Sequence, residues 1–417
     1  MLNAEKQNKR ALAHIERINK IRPIVGADNI DYATVLGWNL IVKKDEFKVG
    51  DLCVYFEIDS LLPKRPWSEF MESKKYKVKT MKLGKFEGGI YSQGLALPLD
   101  LFIDEKYYNK LLNAKEGEDV TDIIGVKYYV AQDNIRKSNK IKTPFEVKFN
   151  RAMARHPKLA KNKIVRELIK KSWGKRFLYL FIGSDKKDSD RKFPNKFDFI
   201  NKTDETRCES IGESLLQNKE EWIQTTKLDG TSSTYILERK PRGKFEYYVC
   251  SRNVRQKDET QQTYHNSFDY GESNVYWDME FKYHIRECLE DLLNRHADWK
   301  YVCIQGESVG VGIQGNPHKL KNTQLFVFNF IDSVNGRWNS VKAKNLLAQY
   351  GIQFVPIINE HYVLPNDMET LKLQADGNLS EDLEGTSGLR EGFVYRSIDG
   401  QRSFKNVSRK YLAKLKD

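Results

Sequence analysis

A lysine, an acid and a glycine follow one another closely near the middle of the chain, in the segment Lys227, Leu228, Asp229 and Gly230. Apolar and β-branched residues alternate with polar ones on both sides, which predicts a strand, a loop and a second strand. The ε-amine of Lys227 would then lie on a rigid edge beside the Asp229 carboxylate. Such an amine can act as a nucleophile once it has lost its proton. Considered alone, these residues fit an exposed hairpin lysine better, so the rest of the sequence decides.

Charged residues recur at the ends of later predicted strands. Arg252 follows one strand and offers a guanidinium group to a phosphate. Glu307 ends a second strand, Glu391 stands just before a third, and Lys405 lies on the last one. Two acids, a guanidinium group and an amine therefore follow Lys227 in order along the chain.

One apolar strand carries three phenylalanines at alternate positions, Phe326, Phe328 and Phe330. Because alternate residues of a strand share a face, we expect all three rings on one side of a sheet. They could pack in the core or stack on a planar ligand.

The elements that position these residues indicate an α+β protein. Residues 1–130 contain about five short strands and little helix, which predicts an OB-type β-barrel. Residues 131–190 form a basic linker or insertion. Residues 191–417 mix strands with helices predicted at 281–294 and 340–350, as in an α+β domain.

The basic character of the chain belongs to one segment. Lys and Arg number 70 against 57 Asp and Glu, a net charge of +13. Residues 136–176 contain 15 basic and two acidic residues, so the remainder is neutral in sum. We interpret the segment as a helix that follows nucleic-acid phosphates, with a solvated linker helix or a membrane-surface helix as alternatives. The candidate nucleic-acid contacts lie here and on a basic strand face of the barrel: Lys161, Lys163, Arg166 and Lys170, with Lys77, Lys79 and Lys82.

The cysteine pattern and the absence of a long apolar stretch bear on location. The five cysteines are scattered, odd in number and without a Cys-x-x-Cys pair, which fits a reducing compartment and no zinc site. The longest apolar run, 177–182, is too short to cross a bilayer. We therefore expect a soluble intracellular protein without membrane contact.

Taken in order, the charged residues around Lys227 resemble the covalent nucleotidyltransferase superfamily. The chain is most similar to the ATP-dependent RNA ligases that carry an N-terminal OB domain. Residues 202–207, which end at Arg207, resemble the segment upstream of the nucleophile in that family, and three stretches resemble its OB module. The similarity covers residues 15–100 and 190–412; the three OB stretches are 29–38, 49–63 and 90–98.

The resemblance implies a reaction in three steps. Lys227 attacks the α-phosphorus of ATP and expels pyrophosphate, which leaves a lysyl-AMP phosphoramidate. AMP then passes to the 5′-phosphate of a nucleic-acid strand, and a 3′-hydroxyl finally attacks that phosphate. The implied cofactors are ATP and Mg²⁺ or Mn²⁺. The implied partner is RNA or an RNA-containing duplex, bound by a monomer.

The resemblance also assigns roles to single residues. Lys227, Asp229, Lys405 and Arg207 are the expected catalytic residues. Asp229, Glu307 and Glu391 are the expected holders of the metal or its waters. Because the nucleophile must be neutral when it attacks, we expect Lys405 to lower the pKa of Lys227 by like-charge repulsion. The expected nucleotide-binding residues are Lys227, Arg252, Glu307, Phe328 or its neighbour Phe326, Glu391 and Lys405.

The last motif departs from the family pattern, which usually has two lysines one residue apart. Lys405 has Ser403 and Val407 at that spacing, so Arg402 or Arg409 could supply the second cation.

A glycine-rich stretch in the C-terminal half is a decoy. Gly310, Gly312 and Gly315 match the dinucleotide-binding spacing, but Asn316 and Pro317 prevent the helix that must follow. We interpret this stretch as a loop beside the active site.

Two other functions remain open. A DNA ligase or capping enzyme is the nearest alternative, although it usually places its OB domain after the catalytic domain. A non-catalytic nucleic-acid-binding protein is the second.

Overall fold

The computed structural model describes residues 10–129, 163–170, 174–182, 200, 204–252, 255–256 and 274–414, apart from residues 85, 87, 88 and 218. We call residues 10–129 the N-terminal part and residues 204–414 the C-terminal part. Lys161, most of the basic segment and most of the loop 258–280 lie outside the described residues.

The N-terminal part is built on a five-stranded antiparallel sheet. Its strands lie in the order β3 (Trp38–Lys43), β2 (Ile30–Val35), β1 (Ala13–Pro23), β4 (Leu52–Phe56) and β8 (Leu95–Pro98). The long first strand pairs with β4 through its first half and with β2 through its second, and a bulge at Ile18 to Lys20 separates the halves. A bulge increases local twist, so one strand can take part in both sides of a curled sheet. The other strands of this part are β5 (Ser60–Leu61), β6 (Thr80–Leu83), β7 (Ile90–Gln93) and β9 (Lys127–Tyr128).

Two large apolar cores and a smaller one around Tyr32 fill the N-terminal part. The first large core contains Ile15, Phe56 and Trp67, and the second contains Trp38 and Tyr55. The short helices α1 (Tyr108–Leu112) and α2 (Thr121–Ile124) close the first core, together with 3₁₀ helices at Pro66–Lys74 and Leu99–Phe102.

The C-terminal part contains two antiparallel sheets. The strands are β10 (Glu221–Lys227), β11 (Thr231–Arg239), β12 (Phe245–Ser251), β13 (Tyr301–Val309), β14 (Gln324–Asp332), β15 (Gly336–Arg337), β16 (Ile357–Val363), β17 (Gly392–Ser397) and β18 (Ser403–Val407). The first sheet has the order β16-β10-β17-β18 and the second the order β12-β11-β13-β14-β15.

Helices cover these sheets, and the predicted α+β class is confirmed. The helix predicted at 281–294 is in fact two helices, because His284 has a positive φ of 49° and breaks the turn between them. The helix predicted at 340–350 is present as Ser340–Ala348. The helices that follow α2 are, in chain order, α3 (Lys163–Lys170), α4 (Gly174–Ile182), α5 (Cys208–Ile211), α6 (Ser214–Gln217), α7 (Val275–Tyr283), α8 (Ile285–Arg295), α9 (Ser340–Ala348), α10 (Met368–Gln374) and α11 (Arg409–Lys414), with 3₁₀ turns at Pro241–Gly243 and Leu379–Glu381.

Candidate active site

Lys227 lies where the two sheets of the C-terminal part meet. It is the last residue of β10, opposite Gly392 of β17. Its ammonium group donates to Glu391 Oε1 at 2.6 Å, and only a quarter of the side chain is exposed. The predicted strand, loop and strand are present, but β10 and β11 belong to different sheets. The lysine is therefore at an inter-sheet junction and not in an exposed hairpin.

The loop after Lys227 is fixed by close contacts. A Cβ atom on Gly230 would lie 2.2 Å from the Ser308 carbonyl oxygen, so no other residue fits there. The Asp229 amide donates to His318 Nε2 at 2.8 Å, and the Gln314 side chain donates to the Gly230 carbonyl. Gln314 lies in the glycine-rich stretch, which therefore contacts the loop as predicted.

The negative charges of three carboxylates, Glu391, Glu307 and Asp229, act on Lys227. Burial raises the pKa of Glu307 to about 8, with Glu391 and Asp229 adding to the rise and Lys227 opposing it. Glu391 Oε2 is buried without a hydrogen-bond partner among the described residues. Asp229 Oδ2 accepts from the Tyr411 hydroxyl at 2.5 Å.

These acids are not assembled as a direct metal-ligand set. Within the described ranges, no three His, Cys, Asp or Glu side chains are grouped closely enough to hold one ion. The buried, unpaired Glu391 Oε2 still suits a hydrated cation, because Mg²⁺ keeps several waters and needs few carboxylates.

The expected effect on the lysine pKa is wrong for this structure. Burial alone would lower the pKa of Lys227, but the negative charges of Glu391, Glu307 and Asp229 outweigh it, and the pKa is raised. It is the pKa of Lys405 that is lowered, to about 8, by burial and by the positive charges of Arg207 and Lys227.

A second cluster of charges surrounds Lys405. Its ammonium group donates to Asp204 Oδ1 at 2.8 Å, and the other oxygen of Asp204 lies 3.0 Å from Arg252 Nη2. The backbones of Arg207 and Lys405 form a bridge. The structure therefore brings Lys405, Arg207 and Arg252 together, and it adds an acid, Asp204, that sequence reasoning missed.

Arg207 joins the cluster to the N-terminal part. The buried guanidinium group lies 5.9 Å from the centre of the Trp38 ring, and its Nη2 is 3.7 Å from Asp59 Oδ2. Its Nε and Nη1 atoms have no hydrogen-bond partner within the part of the chain described. Two buried donors are thus available for an anion.

The arginines proposed to replace the second lysine are engaged elsewhere. Arg402 pairs with Glu220 at the surface, and Arg409 pairs with Glu369. The charge beside Lys405 comes instead from Arg207, which precedes it by almost 200 residues.

The three phenylalanines of β14 do not share one face. Ile304 pairs with Phe330 and Glu307 with Phe326, but the register shifts between them and passes over Phe328. Directly paired residues share a face, so Phe326 faces the side of Glu307 and Phe330 the opposite side. Phe328, at the bulge, lies 5.8 Å from the Arg396 guanidinium carbon.

Other residues of the site had no local sequence signal. His318 is buried, and burial lowers its pKa, which keeps the ring neutral as an acceptor for the Asp229 amide. Tyr411 reaches Asp229 from the last helix. Arg396 is fully buried and donates to Asn329 and Thr225, both at 3.1 Å. A buried arginine or an aromatic hydroxyl far along the chain is visible only in three dimensions.

The predicted nucleic-acid contacts are only partly described. Lys77 Nζ lies 3.7 Å above the Tyr129 ring, and Lys82 Nζ lies 5.8 Å from the Tyr91 ring. Lys79, which lies between these two lysines in the sequence, is half-buried. Lys170 pairs with Glu167 at the surface of α3. Lys163 and Arg166 belong to the same helix, but their side chains and the whole of Lys161 lie outside the described residues.

Comparison with protein families gave two matches. Residues 220–416 match a model described as RNA ligase, and residues 12–99 match a model described as an OB-fold domain. A comparison with proteins of curated function found no match. No helix in the described ranges is long and apolar enough to cross a membrane.

Solved structures similar to this chain include several of one enzyme. Naegleria gruberi RNA ligase with PPi is 27% identical, with a TM-score of 0.69 over 97% of this chain and 99% of that one. A glutamate-to-alanine mutant of it with ATP and Mn is 27% identical, with a TM-score of 0.70 over 98% and 100%. A lysine-to-methionine mutant with AMP and Mn is 28% identical, with a TM-score of 0.70 over 98% and 100%.

Proposed function

Because this chain belongs to the ATP-dependent RNA ligases that carry an N-terminal OB domain, we propose that it joins a 3′-hydroxyl and a 5′-phosphate end of RNA. The joining proceeds through lysyl-AMP and an adenylylated RNA strand, at nicks whose 3′-hydroxyl strand is RNA. One observation carries the proposal: Lys227 lies at the sheet junction between the acids Glu391 and Glu307 and the cation Lys405.

A divalent cation and ATP fit the groups at this junction. The related ligase has been solved with ATP and Mn and with AMP and Mn. The residues that would hold the cation, mainly through its waters, are Glu391, Glu307 and Asp229. When bound there, the cation supplies charge stabilisation for a phosphate under attack.

The chain's own residues prepare the amine and the phosphates. Lys227 must leave its ion pair with Glu391 and lose a proton before its amine can attack. Lys405, Arg207 and Arg252 provide the cations that a pentavalent phosphate needs, and the two unpaired nitrogens of Arg207 are suited to this. Phe328, which is half-buried beside Arg396, and Phe326, which is buried in the core on the face of Glu307, are the two candidate rings for an adenine.

The proposal also assigns a role to each segment of the chain. Residues 1–130 would act as the OB-type nucleic-acid-binding domain, 131–190 as a basic linker or insertion, and 191–417 as the adenylyltransferase domain of a monomer. The five cysteines are free and buried, which suits the reducing interior of a cell.

Covalent labelling tests the first step. Incubation with α-labelled ATP and Mg²⁺ or Mn²⁺ should attach label to the chain, and Lys227→Ala should abolish it. Lys300→Ala, at an exposed lysine just before β13, is the matched control and should label normally. Label from GTP instead would indicate a capping enzyme, and a chain without any label would be a binding module.

A second assay, sealing of defined nicks, tests the substrate. Duplexes with ribose or deoxyribose at each side of the break should be sealed only when the 3′-hydroxyl end is ribose. Equal rates with deoxyribose there would refute the RNA assignment while leaving the labelling result intact.

A further inference from the structure

A cavity of about 470 Å³ lies between the N-terminal and C-terminal parts, a size within the range of roughly 300–1,000 Å³ that ligand pockets show. We call it the junction cavity. Its N-terminal wall includes Arg10, Lys127 and Tyr128, and its C-terminal wall consists of Asp204 and Arg252.

The lining combines three cations and an aromatic ring with two acids, Asp122 and Asp204. Arg10 is committed to the fold, because its guanidinium group donates to Glu57, Asp59 and the Ile58 carbonyl. Lys127 and Tyr128 are exposed, and the Arg252 side chain is 44% exposed. A phosphate could therefore be met by Lys127 and Arg252, and a base or ribose by the Tyr128 ring.

The junction cavity is directly connected to the candidate active site. Asp204 lines it with one carboxylate oxygen near Arg252 and holds Lys405 with the other. Lys405 in turn lies close enough to Lys227 for the charge of Lys227 to lower its pKa. A strand end in the cavity would therefore lie beside Asp204, the carboxylate that accepts from Lys405.

The cavity also continues into a basic surface of the N-terminal part. Leu61 of β5 pairs with Lys127 of β9 and forms a bridge with Lys77. Lys77 Nζ lies 3.7 Å above the ring of Tyr129, two residues after Lys127. Cations alternating with aromatic rings are the features that bind single-stranded backbones and bases.

We propose that the junction cavity binds one nucleotide of the RNA strand beside the break, its phosphate against Lys127 and Arg252 and its base or ribose against Tyr128. This inference rests on the proposed function and deepens it. Pyrophosphate or the ATP tail is the other source of phosphate. Pyrophosphate has no base to stack on the Tyr128 ring, and it is too short to reach the cations that continue across the N-terminal part. RNA is therefore favoured.

The test uses the full chain with Lys127→Ala combined with Tyr128→Ala. Both residues are exposed, so the variant should fold with an unchanged melting temperature. Lys110→Ala, an exposed lysine on α1 outside the cavity, is the matched control. The substrates are a nicked duplex with an RNA 3′-hydroxyl strand and the same nick carrying a preformed 5′-adenylyl group.

The double variant should bind the nicked duplex about tenfold more weakly, the loss of roughly one stacked base. It should seal the adenylylated nick about tenfold more slowly at limiting RNA, and its self-adenylylation by ATP should stay within twofold of the wild type. Slower self-adenylylation with normal sealing would assign the cavity to the ATP phosphates and overturn the proposal. So would unchanged binding and sealing.

Failure of the proposed function gives a different result. If the wild-type chain seals no RNA, that function falls, but fluorescence anisotropy of the labelled duplex still compares the double variant with the wild type and Lys110→Ala. Equal affinities in all three proteins would then reject the cavity as an RNA site independently.

Discussion

Lys227 is held in the form that cannot attack. Its ammonium group is 2.6 Å from Glu391, and two further acids help to raise its pKa. Burial acts in the opposite direction, so the amine becomes nucleophilic only when the negative charge around it is neutralised. Positive charge beside Glu391 and Glu307 would do this. The ground state therefore protects the amine until the groups that react with it are in place.

His14 is a second buried titratable residue, remote from the nucleophile in sequence. Its Nδ1 lies 2.6 Å from Glu16 Oε1, and its Nε2 lies 3.6 Å from Glu57 Oε1. Burial lowers its pKa, but the hydrogen bonds and charges of both glutamates outweigh burial and raise it to about 9. Glu57 also accepts from Ser210 of the C-terminal part at 2.6 Å, so the pair lies at the contact of the two parts.

We predict that the free energy of unfolding falls as the pH rises from 6.5 through 9. The folded-state pKa of His14 exceeds the unfolded value, so its stabilising contribution is complete below pH 6.5 and is lost above the folded pKa. The loss should be roughly 3 kcal/mol. Urea unfolding at pH 6.5 and 9 measures it, and His14→Gln should lack this slope. His361→Gln, at an exposed ion pair with Glu221, should keep it; identical slopes in both variants would contradict the assignment.

At the scale of elements, the sequence predicts strands better than their faces. The alternation of apolar and polar residues locates β10, β11 and β14, because this pattern depends on each strand alone. It cannot locate the shift opposite Phe328, which arises from pairing with β13. His284 breaks a helix whose apolar spacing continues on both sides, because a single residue adopts a positive φ that periodicity does not encode.

Site residues that belong to a sequence motif could be predicted. Those that reach the site from an element far along the chain could not. Lys227 ends β10, Glu391 stands just before β17, and Glu307 and Lys405 lie within β13 and β18, two residues before the end of each strand. All four could be recognised in order along the chain. Tyr411 reaches Asp229 from α11, 182 residues away, with no pattern to indicate it. Such contacts depend on how whole elements pack.

Tyr411→Phe should slow self-adenylylation about tenfold with little change in melting temperature. The hydroxyl donates to Asp229 Oδ2 at 2.5 Å, and a hydrogen bond to a charged group contributes about 1.5–3 kcal/mol. Its loss would free the Asp229 carboxylate beside the nucleophile. Single-turnover labelling with α-labelled ATP measures the rate.

Tyr350→Phe is the matched control for this prediction, because Tyr350 donates to Asp291 at 2.5 Å outside the site. It should leave the labelling rate unchanged. Equal slowing in both variants, or in neither, would mean that the contact of α11 with Asp229 has no part in adenylylation.

On the scale of the whole molecule, the two parts are joined by buried polar contacts. The Lys372 ammonium group donates to the Gly37 carbonyl at 2.9 Å, and Asn39 donates to Glu369. A Cβ on Gly37 would lie 2.8 Å from the Glu209 backbone, so the turn between β2 and β3 is in direct contact with α5. Leu412 of α11 packs against the N-terminal core. Arg207 and the junction cavity therefore depend on the parts staying in this relative position.

Lys372→Met should separate the unfolding of the two parts. Lys372 is 1% exposed. Methionine is an unbranched side chain only one atom shorter, but it leaves the buried Gly37 carbonyl without its donor, a cost of about 2 kcal/mol. Calorimetry should show the single transition of the wild type shifted down and split. Lys344→Met, on the exposed side of α9, should leave it unchanged. Sealing of an adenylylated nick should fall more than self-adenylylation, since the junction cavity spans both parts and Lys227 lies in one. An unsplit transition at the wild-type temperature would show that this lysine does not hold the parts together.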